Sequence, residues 1–151
     1  MLLCPIFGNM SYWDDMRTRL LKSKIHRATV TDANLDYVGS ITIDENLMDA
    51  VGIIQYEQVL VTNITNGTRH ETYTMAGPRG SGMICINGAA AHLAGVGDKI
   101  IIMAFGDFEK EEIAGHKPKV VLVDGNNKPV SSISERTSAY QDKVTRSVKN
   151  L

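Results

Sequence analysis

The alternation of apolar and polar residues along this chain of 151 residues predicts a series of short strands broken by small helices and turns. From Met16 the stretch "MRTRLLKSKIHRATVT" is basic and amphipathic, and its half "KIHRATVT" has the β-branched content of a strand. "DANLDYVG" reads as a turn region and "SITI" as a short strand. Asp44 is placed to cap a helix over "ENLMDAVG", which Gly52 closes. "EQVLVTNIT" and "TRHETYTM" flank Asn66-Gly67, a hairpin signal. "AGPRGSG" predicts a loop, "MICI" a strand, "NGAAAHLAG" a small helix and "DKIIIMAF" a buried strand. "EKEEIAGH" predicts a short helix, and "KVVLVD" a last strand before the Asp124-Gly125 turn.

Two of these stretches share one plan. "LMDAVGIIQYEQVLVTNI" and "AAHLAGVGDKIIIMAF" each run from a helix of small residues through glycine and an acidic turn residue into an apolar strand. The echo predicts a closed β-barrel with internal pseudo-symmetry, because closure removes the sheet edges such strands otherwise expose. Residues 1–15 and 131–151 differ in character. The first reads as an extension outside the core and the second as a polar tail, with the domain over 16–130.

Composition narrows the class. Apolar residues make up 43% and charged residues 22%, with a formal net charge of −1, so no basic surplus points to nucleic acid or a membrane surface. Cys4 and Cys85 are too few for a disulfide framework and fit a reducing compartment. The start, "MLLCPIFGNMSYWDD", lacks the positive region of a signal peptide and is too short to span a membrane. The expected setting is cytoplasmic.

Familiar chemical motifs fail one by one. His26, His70, His92 and His116 are scattered without ligand spacing, so no metal site is expected and each reads as a surface or core histidine. "GPRGSG" lacks the ending of a phosphate loop, and no Gly-x-Ser-x-Gly elbow occurs. Gly39-Ser40 alone is a common dipeptide with an ordinary structural role.

Three blocks change this picture together. "SKIHRATVTDANLDYVGSITID", "TNGTRHETY" and "INGAAAHLAGVGD", in this order and spacing, resemble the pyruvoyl-dependent aspartate 1-decarboxylases of bacteria from about Met16 to about Val123. The resemblance implies a six-stranded double-psi β-barrel with short helices, assembled as a homotetramer with sites between subunits. It implies a precursor that cleaves itself between Gly39 and Ser40. Ser40 Oγ attacks the Gly39 carbonyl, the amide becomes an ester, β-elimination frees Gly39 as a carboxylate, and hydrolysis leaves a pyruvoyl group and ammonia. That covalent group condenses with the substrate amine and accepts the electrons released with CO2, so neither pyridoxal phosphate nor metal is needed. The product is β-alanine, for pantothenate and coenzyme A.

The same resemblance assigns residues. Ser40 and Tyr73 are catalytic, Tyr73 as proton donor. Thr72, Gly88, Ala89 and Ala90 contact substrate, and Thr72 and Asn87 belong to the cleavage step with Gly39 and Ser40. Arg69 and Lys24 are the cations expected to hold the two carboxylates of L-aspartate, with His26 and Tyr37 as weaker lining residues. The chain departs from many relatives at Thr62, where they carry tryptophan. Two alternatives stand beside this reading: a non-catalytic barrel that binds anionic small molecules, and a decarboxylase for another amino acid.

Overall fold

In the computed structural model the described residues are 16–37 and 40–132, without the side chains of 131 and 132. The expected N-terminal extension, Gly39 of the cleavage pair and the tail beyond 132 lie outside them. The chain order is β1 (Thr18–Thr29), β2 (Asp32–Asn34), β3 (Ile41–Asp44), α1 (Glu45–Val51), β4 (Gln58–Asn63), β5 (Arg69–Gly77), β6 (Ile84–Asn87), a 3-10 helix (Gly88–His92), β7 (Lys99–Phe108), α2 (Lys110–Ile113), β8 (Lys119–Val123) and β9 (Pro129–Ser132).

The strands form one sheet in the order β2-β6-β3-β5-β4-β7-β1-β8-β9. β1 and β2 are one run of chain interrupted only at Val30 and Thr31, yet they stand far apart in that order. The chain itself therefore joins the two sides of the sheet. Thr31 N–H donates to Ile84 O at 2.8 Å and Val30 N–H to Asp98 O at 2.9 Å across the junction. Counting β1 and β2 as one gives a six-stranded barrel, with β8 and β9 added outside on β1.

The barrel has a two-fold plan. β1/β2, β3 and β4 make one half, and β5, β6 and β7 the other. β3 pairs antiparallel with β6, and β4 with β7. β5 pairs parallel with β3 and antiparallel with β4, while β1/β2 pairs parallel with β6 and antiparallel with β7. The crossings of the two halves are the double-psi arrangement, and the sequence echo is its linear trace.

Alternation drives the packing. Val59 and Val61 of β4, Ile41 and Ile43 of β3, and Ile100 and Ile102 of β7 point inward and are buried. In β1 the inward residues Ile25 and Ala28 are three apart, because a bulge between His26 and Ala28 inserts Arg27 at φ 65° and resets the alternation. Asp44 caps α1 by accepting from Asn46 N–H at 2.9 Å, and Gly52 ends it at φ 69° in the left-handed region. The hairpin between β4 and β5 turns at Gly67, φ +78°, whose N–H donates to Asn63 O.

Two segments differ from the sequence expectation. Asp32–Asn34, inside the predicted turn region, pairs with β6. β8 is not the last strand: the Asp124–Lys128 turn returns the chain as β9, antiparallel to β8 and reaching into the stretch expected as tail. Asn127 anchors this return from a buried position. Its side chain accepts from Thr29 N–H and donates to Thr29 O and Gly82 O.

Candidate active site

Register alone brings the first group of residues together. Ile41 is opposite Thr74 on β5 and opposite Ile86 on β6. One step back along β3, Ser40 therefore reaches Thr72 and Tyr73 on one side and Asn87 on the other. Ser40 Oγ hydrogen-bonds Thr72 Oγ1 and accepts from Tyr73 N–H at 2.8 Å. Ser40 O accepts from Asn87 N–H at 2.8 Å. Ser40 is only 3% exposed.

Asn87 is fixed by a second set of bonds. Its Oδ1 accepts from Cys85 Sγ–H at 3.1 Å, and its Nδ2 donates to Thr42 Oγ1 at 3.1 Å. Burial raises the Cys85 thiol pKa, and the nearby Asp32 carboxylate raises it further, so the thiol stays a donor. Beyond Asn87 the chain enters the 3-10 helix at Gly88, φ +61°, a conformation glycine adopts without steric cost. The first N–H groups of such a helix have no partner within it.

A pocket of about 320 Å³ opens here, lined by Ser40, His70, Glu71, Thr72, Tyr73, Asn87, Ala89, Ala90 and Leu93. The Tyr73 ring stands at its mouth, 43% exposed and 6.4 Å from the Tyr56 ring. Of the residues expected at the site, Ser40, Thr72, Tyr73, Asn87, Ala89 and Ala90 line one cavity, and Gly88 joins Asn87 to Ala89.

Lys24, Arg69, His26 and Tyr37 stand elsewhere. Cross-strand pairing sets His26, Ile101, Thr62 and Arg69 in one row and Lys24, Met103, Leu60 and Glu71 in the next. Paired residues share a face, and it is the outer one, since Ile25, Val61 and Ile102 between them point inward. His26 and Arg69 are thus three strand spacings apart, roughly 14 Å. Neither Lys24 nor Arg69 lines the pocket. His26 Nδ1 is buried without a partner, and burial, Lys24 and Arg27 lower its pKa. Tyr37 is exposed in the turn after β2.

Sequence reasoning passed over His70, Glu71 and Cys85. The signal for His70 was available: period two along β5 puts His70, Thr72 and Thr74 on one face. Among the described residues no group of three His, Cys, Asp or Glu side chains is placed to hold a metal ion. No described helix is long and apolar enough to cross a membrane.

A small barrel with a buried serine hydroxyl, hydrogen-bonded to a threonine and a backbone amide at the head of an open pocket, has the make-up of an enzyme. The particular family follows from comparison with known proteins. A sequence model of aspartate decarboxylase matches residues 16–130, and the chain belongs to that family. It is 64% identical over 115 residues to the aspartate 1-decarboxylase of Caldicellulosiruptor saccharolyticus, covering 76% of this chain and 90% of the relative. It is 62% identical over 113 residues to that of Ruminiclostridium cellulolyticum, with 75% and 88% covered. It is 57% identical over 116 residues to that of Syntrophobacter fumaroxidans, with 77% and 94% covered.

Proposed function

We propose that this chain is an aspartate 1-decarboxylase that converts L-aspartate to β-alanine and CO2, after cutting itself between Gly39 and Ser40, in a cytoplasmic route to pantothenate and coenzyme A. The observation that carries this reading is the setting of Ser40, whose buried Oγ meets both Thr72 Oγ1 and the Tyr73 N–H. A serine in an ordinary turn needs neither partner.

Cleavage begins with loss of the Ser40 hydroxyl proton. Thr72 Oγ1, in direct contact, is the group placed to relay that proton. The Ser40 oxygen then bonds the Gly39 carbonyl carbon, the peptide C–N bond breaks, and an ester replaces the amide. Removal of the Ser40 α-proton expels Gly39 as a carboxylate. Water hydrolyses the remaining dehydroalanine, and nitrogen leaves as ammonia. Asn87 holds the Ser40 backbone through its N–H while these bonds change.

Position 40 suits the resulting pyruvoyl group, since it is buried and bordered by hydroxyl and amide donors. The group supplies the ketone that accepts electrons when CO2 departs. The chain's own residues do the rest. Ala89 and Ala90 leave the backbone of the 3-10 helix open to a carboxylate. The Tyr73 hydroxyl, at the mouth, returns a proton to the substrate carbon. Lys24 and Arg69 hold charge on the outer face and do not line their own chain's pocket, which fits a homotetramer whose copies exchange these cations. The half-buried apolar residues around them, Leu60, Ile101 and Met103, suit such a contact.

The test is release of CO2 from L-aspartate by the matured protein, with stoichiometric β-alanine. Turnover of L-glutamate in preference to L-aspartate, or of neither, overturns the reading.

A further inference from the structure

Residues 54–57 turn the chain into β4. Glu57 N–H closes the turn by donating to Ile54 O at 3.2 Å, and Tyr56, its third residue, has φ 67°. This is the type II pattern, whose third position favours glycine or asparagine. A bulky side chain there is strained, and such strain lasts only where the surroundings over-determine it. Here they do. Tyr56 N–H donates to Thr74 O at 2.8 Å, Thr74 N–H to Glu57 O at 3.1 Å, and the Thr74 hydroxyl to Ile54 O at 2.6 Å. Glu57 Oε2 accepts from Ile54 N–H at 3.0 Å, and Lys22 Nζ donates to the other carboxylate oxygen.

Burial does not explain a tyrosine at this position, because Tyr56 is 67% exposed. What its ring has beside it is Tyr73, with centroids 6.4 Å apart and planes tilted by 47°. Tyr73 adjoins Thr74, the residue to which the turn is tied, so both rings are fixed to one point of β5. An exposed ring on a strand has more than one rotamer open to it, and a second ring held beside it narrows that choice. Tyr56 does not line the pocket, whereas Tyr73 does. Any influence of Tyr56 on the chemistry therefore passes through Tyr73.

We propose that Tyr56 is a positioning residue: the strained turn holds its ring beside Tyr73 and so keeps the Tyr73 hydroxyl turned to the pocket. The inference rests on the reading of Tyr73 as proton donor. Stability and catalysis should then move in opposite directions at position 56.

Tyr56→Asn removes the ring and suits the left-handed backbone, and Tyr56→Phe keeps the ring. Cleavage at position 40 should proceed in both, since Tyr56 lies outside the pocket that holds Ser40. In matured full-length protein, Tyr56→Asn should melt about 2–5 °C above wild type. Its kcat for L-aspartate should fall about three- to tenfold with KM within about twofold, and Tyr56→Phe should keep the wild-type kcat. Crystal structures give a readout independent of turnover: the Tyr73 ring should hold one rotamer in wild type and spread over more than one in Tyr56→Asn. An unchanged kcat with an unmoved Tyr73 ring overturns the assignment. So does a kcat loss that comes with a lower melting temperature or a smaller native mass, which would make Tyr56 a packing or interface residue. Failure of wild type to decarboxylate aspartate overturns the function instead, and the Tyr73 rotamers still decide the contact.

Discussion

Two buried polar side chains bracket β3, Ser40 directly before it and Asp44 at its end, and they are treated in opposite ways. Asp44 is saturated. Its carboxylate accepts from Asn46 and Gly80 N–H at 2.9 Å and from Gly82 N–H at 2.8 Å. Burial alone raises its pKa, but these three donors and the charge of Lys128 bring the net value below the ordinary carboxylate range. Ser40 meets a second hydroxyl and one amide, and its far side opens on a pocket. A carboxylate whose oxygens are occupied by backbone amides fixes the loop from Pro78 to Met83 against α1. A hydroxyl hydrogen-bonded to another hydroxyl is placed to exchange its proton. Four residues apart in sequence, the two are alike in burial and differ in the kind of partner.

Thr72→Val should break the Ser40 end most visibly. It removes the hydroxyl at nearly constant shape and should slow cleavage about a hundredfold while the protein stays folded. Thr74 is its control on the same face of β5. That hydroxyl donates to Ile54 O at 2.6 Å, away from Ser40, and Thr74→Val should leave the cleavage rate unchanged. Equal cleavage by both variants, followed on denaturing gels, would mean that contact with Ser40 carries no chemistry.

The Asp44 end should respond in stability. Asp44→Ala strands three amides and should cost about 2–3 kcal/mol in urea unfolding, with cleavage intact in the folded fraction. A smaller effect sharpens the comparison through pH. Because the folded pKa of Asp44 is depressed, its contribution is complete above the unfolded value of about 3.9 and is lost as pH falls through the lower folded value. Wild type should lose more stability than Asp44→Asn between pH 5 and the acid limit. Parallel curves would remove Asp44 from the account.

Much of this was legible beforehand. The cap at Asp44, the Gly52 stop and the Asn66-Gly67 hairpin depend on local chemistry and stood where expected. β9 and β2 did not, because a strand of three or four residues such as "PVSS" carries too little alternation and exists only through its partner. The candidate site divided in the same way. The Ser40–Thr72–Tyr73–Asn87 group was expected from the family resemblance, and strand register is the physical reason these residues meet. Lys24 and Arg69 were expected as cations for the substrate that the resemblance implies, and that expectation does not say which face of the sheet they occupy. His70 was set aside because an isolated histidine has no pattern; only its place two residues before Thr72 marks it.

The central claim is that Ser40 is built to open its own peptide bond, and the mass of the purified protein tests it most directly. The account predicts two pieces, residues 1–39 and residues 40–151, the larger lighter by one ammonia than a fragment starting with serine and blocked to N-terminal sequencing. Ser40→Ala, which has no hydroxyl to begin the shift, should remain whole and inactive. Decarboxylation of aspartate by wild-type protein whose mass shows every chain intact would contradict it.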